Sequence, residues 1–235
     1  RDVNKAADLF EEASKNGIPD AIGDLALCLL KGEGHPVDKE KAFQLLTESS
    51  DLGSPQLAYR LAQCYLTGDS VATDKAKALS LFRIAHSRGY IEATYQLAHC
   101  LHTGEGINPE EFNCDTLQEA RDLFEIAAAK KHVEASYELG MIYNQDQEVF
   151  ANKQKAFSLF EVASNQNHPR ATTELGILYE TGAGTKKDLQ QAFKLYNKSS
   201  NLGEINGIYH LGMCYLKGIG TNINCEKARY TNYIN

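Results

Sequence analysis

The sequence has no long run of apolar residues and no excess of basic ones. No stretch approaches the roughly 20 apolar residues that cross a bilayer, and the N-terminal RDVNKAADLF lacks the apolar core of a signal peptide. The 24 Lys and Arg residues stand against 31 Asp and Glu residues, without a basic block, and the net charge is -7. We therefore expect neither membrane insertion nor a nucleic-acid partner.

The motifs that mark catalytic or metal sites are also missing. The sequence contains no CxxC, no HExxH and no nucleophile elbow. His99 and His102 are spaced to share one helical face, but no third ligand lies close in sequence. Cys225 follows a predicted helix cap, but no motif partners it for redox chemistry. We expect no enzyme, no catalytic residue, no metal and no cofactor.

What the sequence does contain is a repeat with a period of 36 residues. A period of this length is typical of a stacked array rather than a closed globule. One step of 42 residues reflects a six-residue insertion. The repeat shows in a leucine column and an alanine column, which are Leu25, Leu61, Leu97, Leu139, Leu175 and Leu211, and Ala6, Ala42, Ala78, Ala120, Ala156, Ala192 and Ala228.

Each repeat contains two amphipathic helical patterns, which we name helix A and helix B. In the second copy these are PQLAYRLAQCYLTG and DKAKALSLFRIAHSRG, each with one narrow apolar face. Faces this narrow must stack on neighbouring copies to form a core. The pattern predicts an all-α fold of helix pairs.

Helix boundaries follow from proline, polar cap residues and glycine. Pro19, Pro55 and Pro169 stand where A helices begin. Thr116 and Glu119 have capping-box spacing, so we expect the inserted copy to start its B helix there. The predicted B-helix caps are Asp38, Asp74, Thr116, Asn152, Asp188 and Asn224, and the predicted left-handed ends are Gly17, Gly53, Gly89, Gly203 and Asn167.

Paired glycines lie between helix A and helix B in four copies: Gly32 and Gly34, Gly104 and Gly106, Gly182 and Gly184, and Gly218 and Gly220. A phosphate-binding loop would need a preceding strand and a Lys-Ser or Lys-Thr pair, which are absent. We expect the pairs to serve a tight turn. Ser70 replaces one glycine in the second copy, and Asp146 and Glu148 replace both in the fourth.

The segment ATTELGILYETGAGTKKDLQQAFKLYNKSSNLG, residues 171–203, resembles the Sel-1-like repeat family, a relative of the tetratricopeptide repeat. The resemblance implies a right-handed superhelical α-solenoid of about six helix-turn-helix repeats, forming one domain over residues 1–235. Residues 1–17 are then helix B of a preceding repeat. The expected repeats are residues 19–53, 54–89, 90–131, 132–167, 168–203 and the incomplete 204–235.

The resemblance further implies a non-enzymatic scaffold or adaptor that binds protein partners within a multiprotein complex. One alternative is a cofactor- or redox-handling repeat protein, such as a haem-binding assembly factor or a thiol hydrolase. Another is an ER-lumenal ubiquitin-ligase adaptor, for which the glycosylation sequon at Asn197 is weak support because it lies inside a predicted helix. The chain opens and stops within repeats, which predicts a fragment of a longer protein or ends that pair with another chain.

Cysteine positions bear on the compartment. Cys28, Cys64, Cys100 and Cys214 share one position of helix A, where other copies carry apolar residues. Equivalent positions in stacked helices lie about 10 Å apart, whereas a disulfide needs less than about 7 Å between Cα atoms. We therefore favour a reducing compartment, the cytoplasm, and leave the ER lumen and the mitochondrion open.

By analogy with tetratricopeptide repeats, the A helices should line the concave surface. Four of the six residues two before the column leucine are tyrosine, which suits peptide binding but equally suits packing between A helices. Phe112 and Cys114 in the insertion form a second candidate contact, for which a neutral bulge is the alternative. The predicted partner-binding residues are Tyr59, Gln63, Tyr95, His99, His102, Tyr137, Met141, Tyr209 and Met213.

Overall fold

The computed structural model describes residues 2–49, 54–68, 71–145 and 150–232, and within these ranges the regular structure is helical, without a strand. The helices alternate between the two predicted types, with α1 and the other odd-numbered helices as B and the even-numbered ones as A. They are α1 (Val3–Lys15), α2 (Pro19–Lys31), α3 (Lys39–Ser49), α4 (Pro55–Thr67), α5 (Lys75–Ser87), α6 (Ile91–Thr103), α7 (Cys114–Ala129), α8 (Val133–Gln145), α9 (Phe150–Asn165), α10 (Pro169–Thr181), α11 (Leu189–Asn201), α12 (Ile205–Lys217) and α13 (Cys225–Asn232).

These helices group into two compact units, unit 1 (Arg1–Leu123) and unit 2 (Phe124–Asn235). Within the units A helices pack on their own B helices, as α4 does on α5 and α10 on α11, and B helices pack on the next A helix, as α5 does on α6. The all-α repeat fold predicted from the 36-residue period is confirmed. The predicted division into one domain with its repeat boundaries stays a prediction.

The two columns found in the sequence form the core. All six column leucines are 1–5% exposed, and the alanines from Ala42 to Ala228 are 0–5% exposed. A larger side chain at these buried alanine positions would have to displace its neighbours, because protein interiors are packed at crystal-like density. Ala6, in the first B helix, is only partly buried.

Four of the predicted B-helix caps are confirmed by hydrogen bonds from first-turn amides to Asp38, Asp74, Asp188 and Asn224. The predicted caps Thr116 and Asn152 are wrong, because α7 and α9 begin two residues earlier, at Cys114 and Phe150.

In α7 the cap is Asn113, whose Oδ1 accepts hydrogen bonds from the amides of Asp115 and Thr116. Glu119 forms an ion pair with Arg83 instead of completing the predicted capping box. The expected left-handed residues Gly17, Gly89, Gly203 and Asn167 have positive φ.

The second glycine of each pair has a role that the turn alone does not explain. A methyl group at Gly106 would overlap the Lys75 carbonyl in the first turn of the preceding B helix. Gly34, Gly184 and Gly220 face the carbonyls of Val3, Lys153 and Leu189 in the same way. The loop of one repeat therefore touches the backbone of the one before, and a side chain there would separate them. Gly53, Ser70, Asp146 and Glu148 lie outside the described residues.

Candidate interaction surface

The predicted binding residues lie on the A helices, and we call them together the A-helix surface. In unit 1 they are Tyr59 and Gln63 on α4 and Tyr95, His99 and His102 on α6; in unit 2 they are Tyr137 and Met141 on α8 and Tyr209 and Met213 on α12. The tyrosines differ in exposure, because each meets a different set of neighbours.

Tyr59 is half-buried and packs on two aromatic rings. Its ring centroid lies 5.7 Å from that of Phe82 in the same repeat and 5.1 Å from that of Tyr90, which precedes α6. Gln63 Nε2 donates a 2.9 Å hydrogen bond to the Tyr59 hydroxyl. Burial raises the pKa of Tyr59, so the hydroxyl is neutral at physiological pH. Tyr59 thus joins one repeat to the next while Gln63 orients its hydroxyl.

The remaining residues of the A-helix surface in unit 1 lie on α6. The rings of Tyr95 and His99 are 6.2 Å apart and tilted. His99 is partly buried and His102 is exposed at the last turn of the helix. This leaves imidazole and phenol groups together on one helix face, which suits hydrogen bonding to a polar partner.

Tyr137 in unit 2 is held by a stack with His168. The two ring centroids are 4.6 Å apart with an interplanar angle of 24°, and the Phe160 ring lies 6.1 Å away. His168 also caps α10, because its Nδ1 accepts a hydrogen bond from the Ala171 amide. Burial lowers the pKa of His168, so the ring is neutral at pH 7.

Tyr209, by contrast, is 56% exposed. Its ring meets that of His210 edge-on at 5.5 Å. It borders a groove of about 290 Å³ that Met213 and the half-exposed Leu216 also line. Met141 of α8 is partly buried against the core around Phe160.

At the position two residues before the column leucine, some of the tyrosines therefore pack against neighbouring rings. Tyr59 and Tyr137 each contact the cap residue of the next A helix, 31 residues further along the chain in both cases. The sequence analysis did not single out Tyr90 and His168, although their constant distance from the tyrosines is visible in the sequence. In the fifth copy Thr173 stands at the tyrosine position, where it is buried and its hydroxyl lies 2.7 Å from that of Ser199.

The structure also contains a groove in unit 2 that the sequence analysis missed. It has a volume of about 370 Å³ and lies beside Tyr137, between α10 and the first turn of α12. Arg170, Glu174 and Glu204 contribute its charged groups. The convergence of these charged groups depends on how consecutive repeats stack, which the sequence pattern does not show.

The insertion before α7 forms a closed loop. The Glu111 amide donates a 2.8 Å hydrogen bond to the Asn108 carbonyl, and the Thr116 hydroxyl donates one to the Glu111 carbonyl. Phe112 is 40% exposed and lies against Gly104. Cys114 is exposed at the start of α7. A binding role for this loop stays a prediction.

The cysteines shared by the A helices are core residues. Cys64, Cys100 and Cys214 are buried and Cys28 is partly buried. Burial raises the pKa of Cys100 and of Cys214 from 9.0 to about 11. These thiols stay protonated at neutral pH and are poor nucleophiles.

Two further features are absent from the part of the chain that the structure describes. No group of three or more His, Cys, Asp or Glu side chains there could hold a metal ion. In the same residues no helix combines the length and the apolar character that crossing a bilayer requires.

Among solved structures, the chain is similar to a protective antigen from uropathogenic Escherichia coli that displays an SLR fold. The identity is 24% and the TM-score 0.87, over 98% of this chain and 48% of that one, so the chain spans about half of that relative. A Sel1 repeat protein from Oxalobacter formigenes shares 20% identity with a TM-score of 0.80, over 99% of this chain and 96% of that one.

A more distant likeness is to an immunity protein from Pseudomonas aeruginosa, with 21% identity and a TM-score of 0.52, over 91% of this chain and 79% of that one. Comparison with curated proteins gave no match. The family model described as Sel1 repeat matches residues 1–18, 19–54, 55–90, 91–132, 133–168, 169–204 and 205–230. Its matched segments fall on the helix pairs of the structure, and the chain belongs to the Sel1 repeat family.

Proposed function

We propose that this chain is a protein-interaction scaffold that binds a partner peptide or domain along the A-helix surface. The observation that carries the proposal is the exposure of Tyr209. Its side chain is 56% exposed and borders a groove that Met213 also lines. Tyrosine and methionine suit such a role, because tyrosine combines an apolar ring with a polar tip and methionine adapts to the surface it meets.

Partial packing of the other tyrosines supports the same role. Tyr59 and Tyr137 are each fixed on one side by neighbouring rings and are only half-buried. A ring that is already ordered loses little conformational entropy when a partner covers its remaining face. The packing and binding roles of these residues are therefore compatible.

Chemistry of an enzymatic kind has less support. Cys100 and Cys214 have raised thiol pKa values because they are buried, so neither provides a ready thiolate. The scaffold role requires no such group. A reducing, cytoplasmic setting fits cysteines that serve as apolar core residues.

Selection of peptides from a random display library on the purified chain tests the proposal. The dissociation constant of each selected peptide is then measured by calorimetry for the wild type and for Tyr95→Ala and Tyr209→Ala. We expect at least one of the two changes to weaken binding about tenfold, as loss of an aromatic contact does at an interface.

The matched control is Ile126→Ala, which removes a side chain that is 46% exposed on the B helix α7. It should leave the dissociation constant unchanged. Equal weakening by the control, or unchanged binding in both tyrosine variants, would place the binding site elsewhere.

A further inference from the structure

The groove beside Tyr137 has a chemistry that specifies its ligand more closely than the A-helix surface does. Its volume is about 370 Å³, and Thr173, Glu174 and Asn206 line it together with charged groups at its mouth. An adjoining hollow of about 270 Å³ shares Tyr137, Arg170 and Glu204 with it. Both lie wholly within unit 2.

The charge of this region is strongly negative. Glu134, Glu138, Glu174 and Glu204 line the two hollows, against the single guanidinium of Arg170. His168 adds no charge at pH 7, because burial lowers its pKa. About three net negative charges are thus collected in one concave region, where low-dielectric walls focus the field and attract cations.

Glu174 is the carboxylate that most needs a partner. Its side chain is partly buried, and among the described residues it has no hydrogen bond or ion pair, only the more distant charge of Lys153. A carboxylate removed from water without a donor is costly to keep ionised. Consistent with this, burial raises the pKa of Glu174.

Tyr137 provides an aromatic face at the same groove. The stack on His168 fixes its ring, at a centroid distance of 4.6 Å. Arg170 lies at the mouth of the groove with its side chain 69% exposed, its Nε 4.0 Å from Glu204 Oε2 and a side-chain hydrogen bond with Tyr137. A planar cation that stacks on tyrosine and donates to two carboxylates matches this set of groups.

We propose that the groove receives an arginine side chain of the partner, with its guanidinium between Glu174 and Glu204 and against Tyr137. This inference rests on the scaffold function and specifies the chemistry of the partner. Arginine fits better than lysine because its planar fork of donors serves two carboxylates and an aromatic face at once. An anionic partner segment would meet three net negative charges and be repelled.

Titration with a short peptide that has blocked ends and arginine as its single charged residue, acetyl-Gly-Ser-Gly-Arg-Gly-Ser-Gly-amide, tests the inference on the whole chain. Binding is followed by the amide NMR signals of Ile205 and Asn206. We expect saturable shifts at these two residues. The same peptide with citrulline in place of arginine keeps the planar shape, but it has an acceptor oxygen in place of one donor NH2 group and carries no charge. It should bind at least about tenfold more weakly.

Three variants complete the test. Glu174→Gln preserves the side-chain volume. It should weaken the binding of the arginine peptide about tenfold, as expected for loss of a charge-assisted hydrogen bond. Arg170→Ala removes the chain's own guanidinium from the groove, so the arginine peptide should bind severalfold more tightly. The control Glu161→Gln makes the same charge change on the exposed face of α9 and should have no more than a twofold effect, roughly that of surface screening.

Equal binding of the citrulline peptide, or an unchanged dissociation constant in Glu174→Gln, would overturn the inference. Tighter binding of a lysine peptide than of the arginine peptide would do the same. These outcomes differ from failure of the scaffold function, because they use a small probe rather than the selected partner. A groove that binds arginine while the selected peptides ignore the A-helix surface would refute the scaffold proposal alone.

Discussion

The hydroxyl of Tyr196 in α11 donates a 2.6 Å hydrogen bond to Glu180 Oε2 in α10. Tyr196 is 0% exposed, and phenylalanine takes its place in four other B helices, as Phe160 does in α9. Tyrosine at this position adds an oxygen to the core, and Glu180 supplies the acceptor that the oxygen requires. The pKa of Tyr196 is raised by burial and further by this hydrogen bond, so the group stays neutral.

Tyr196→Phe should lower the free energy of unfolding by about 1–3 kcal/mol, because a hydrogen bond to a charged group is lost. Urea unfolding followed by circular dichroism measures the change. The double variant Tyr196→Phe/Glu180→Leu should recover part of the loss, since both polar partners are removed together. Leucine already stands at the position of Glu180 in other repeats, as Leu66. Full stability in the single variant would contradict the prediction.

Gly106→Ala should destabilise the chain more than Gly89→Ala does. The two glycines have nearly equal φ, +82° and +84°, so both changes carry the same backbone cost. A methyl group at Gly89 enters open space, whereas one at Gly106 meets the Lys75 carbonyl. We expect a difference of about 1–3 kcal/mol in the free energy of unfolding, the usual cost of overpacking. Equal losses would show that the inter-repeat contact relaxes without cost.

Gly140→Ala should also destabilise, although alanine favours a helix by about 1 kcal/mol over glycine. The added Cβ would lie 2.6 Å from Phe160 Cε1, which is closer than real contacts allow. A net loss of about 1–2 kcal/mol follows if overpacking outweighs helix propensity. Thermal unfolding of Gly140→Ala and of the double variant Gly140→Ala/Phe160→Leu measures the contribution of overpacking. The smaller leucine should make room for the added methyl group and restore stability. A more stable single variant would mean that Phe160 moves aside freely.

Stability should fall as the pH rises above 9, because two thiols are protonated more strongly in the folded chain. The pKa of Cys100 and that of Cys214 rise from 9.0 to about 11 on burial. A raised pKa stabilises the fold below pH 9, where both states hold the proton, and this stabilisation is lost as the pH climbs through 11. Each thiol should contribute on the order of 1 kcal/mol.

Urea unfolding at pH values between about 8 and 10 measures this loss below the range in which most tyrosines ionise. Cys214→Ala should flatten the dependence on pH, whatever its effect on stability at pH 7. An unchanged slope in that variant would assign the alkaline loss to other groups.

Asn113→Ala should lower stability by about 1 kcal/mol, since Asn113 caps α7 through the amides of Asp115 and Thr116. Thr116→Ala removes the hydroxyl hydrogen bond to the Glu111 carbonyl and a longer one, 3.4 Å, to Asn113 Oδ1, but it leaves both capping amide bonds in place and should cost less. Denaturant midpoints of the two variants give the comparison. A larger loss of stability for Thr116→Ala than for Asn113→Ala would support the capping box that the sequence pattern predicted.

The wrong prediction of Thr116 as the cap of α7 shows which helix boundaries a local sequence pattern can and cannot predict. Asp74 and Asp188 were predicted correctly as caps because a polar residue four positions before the column alanine is a local signal. In the repeat with the insertion, both Asn113 and Thr116 could cap α7. The six extra residues allow Asn113 to take this position. Local pattern cannot rank Asn113 above Thr116, because the outcome depends on how the loop closes on itself.

The same division applies to the A-helix surface. The sequence places Tyr59, Tyr137 and Tyr209 at one repeat position, and the structure gives them different surroundings. Tyr59 and Tyr137 meet rings that lie 31 residues away, while Tyr209 is exposed. Which tyrosine packs and which is open depends on the residue that the next repeat supplies.

By itself the sequence determined the helix pairs, their 36-residue spacing and the leucine and alanine columns of the core. These follow from helical periodicity and side-chain size, which act over one or two turns. Only the tertiary structure decided that Gly106 touches the preceding repeat, and that Glu174 and Glu204 converge on Tyr137. Those relationships join residues about 30 or more positions apart, and their distances are set by how one repeat stacks on the next.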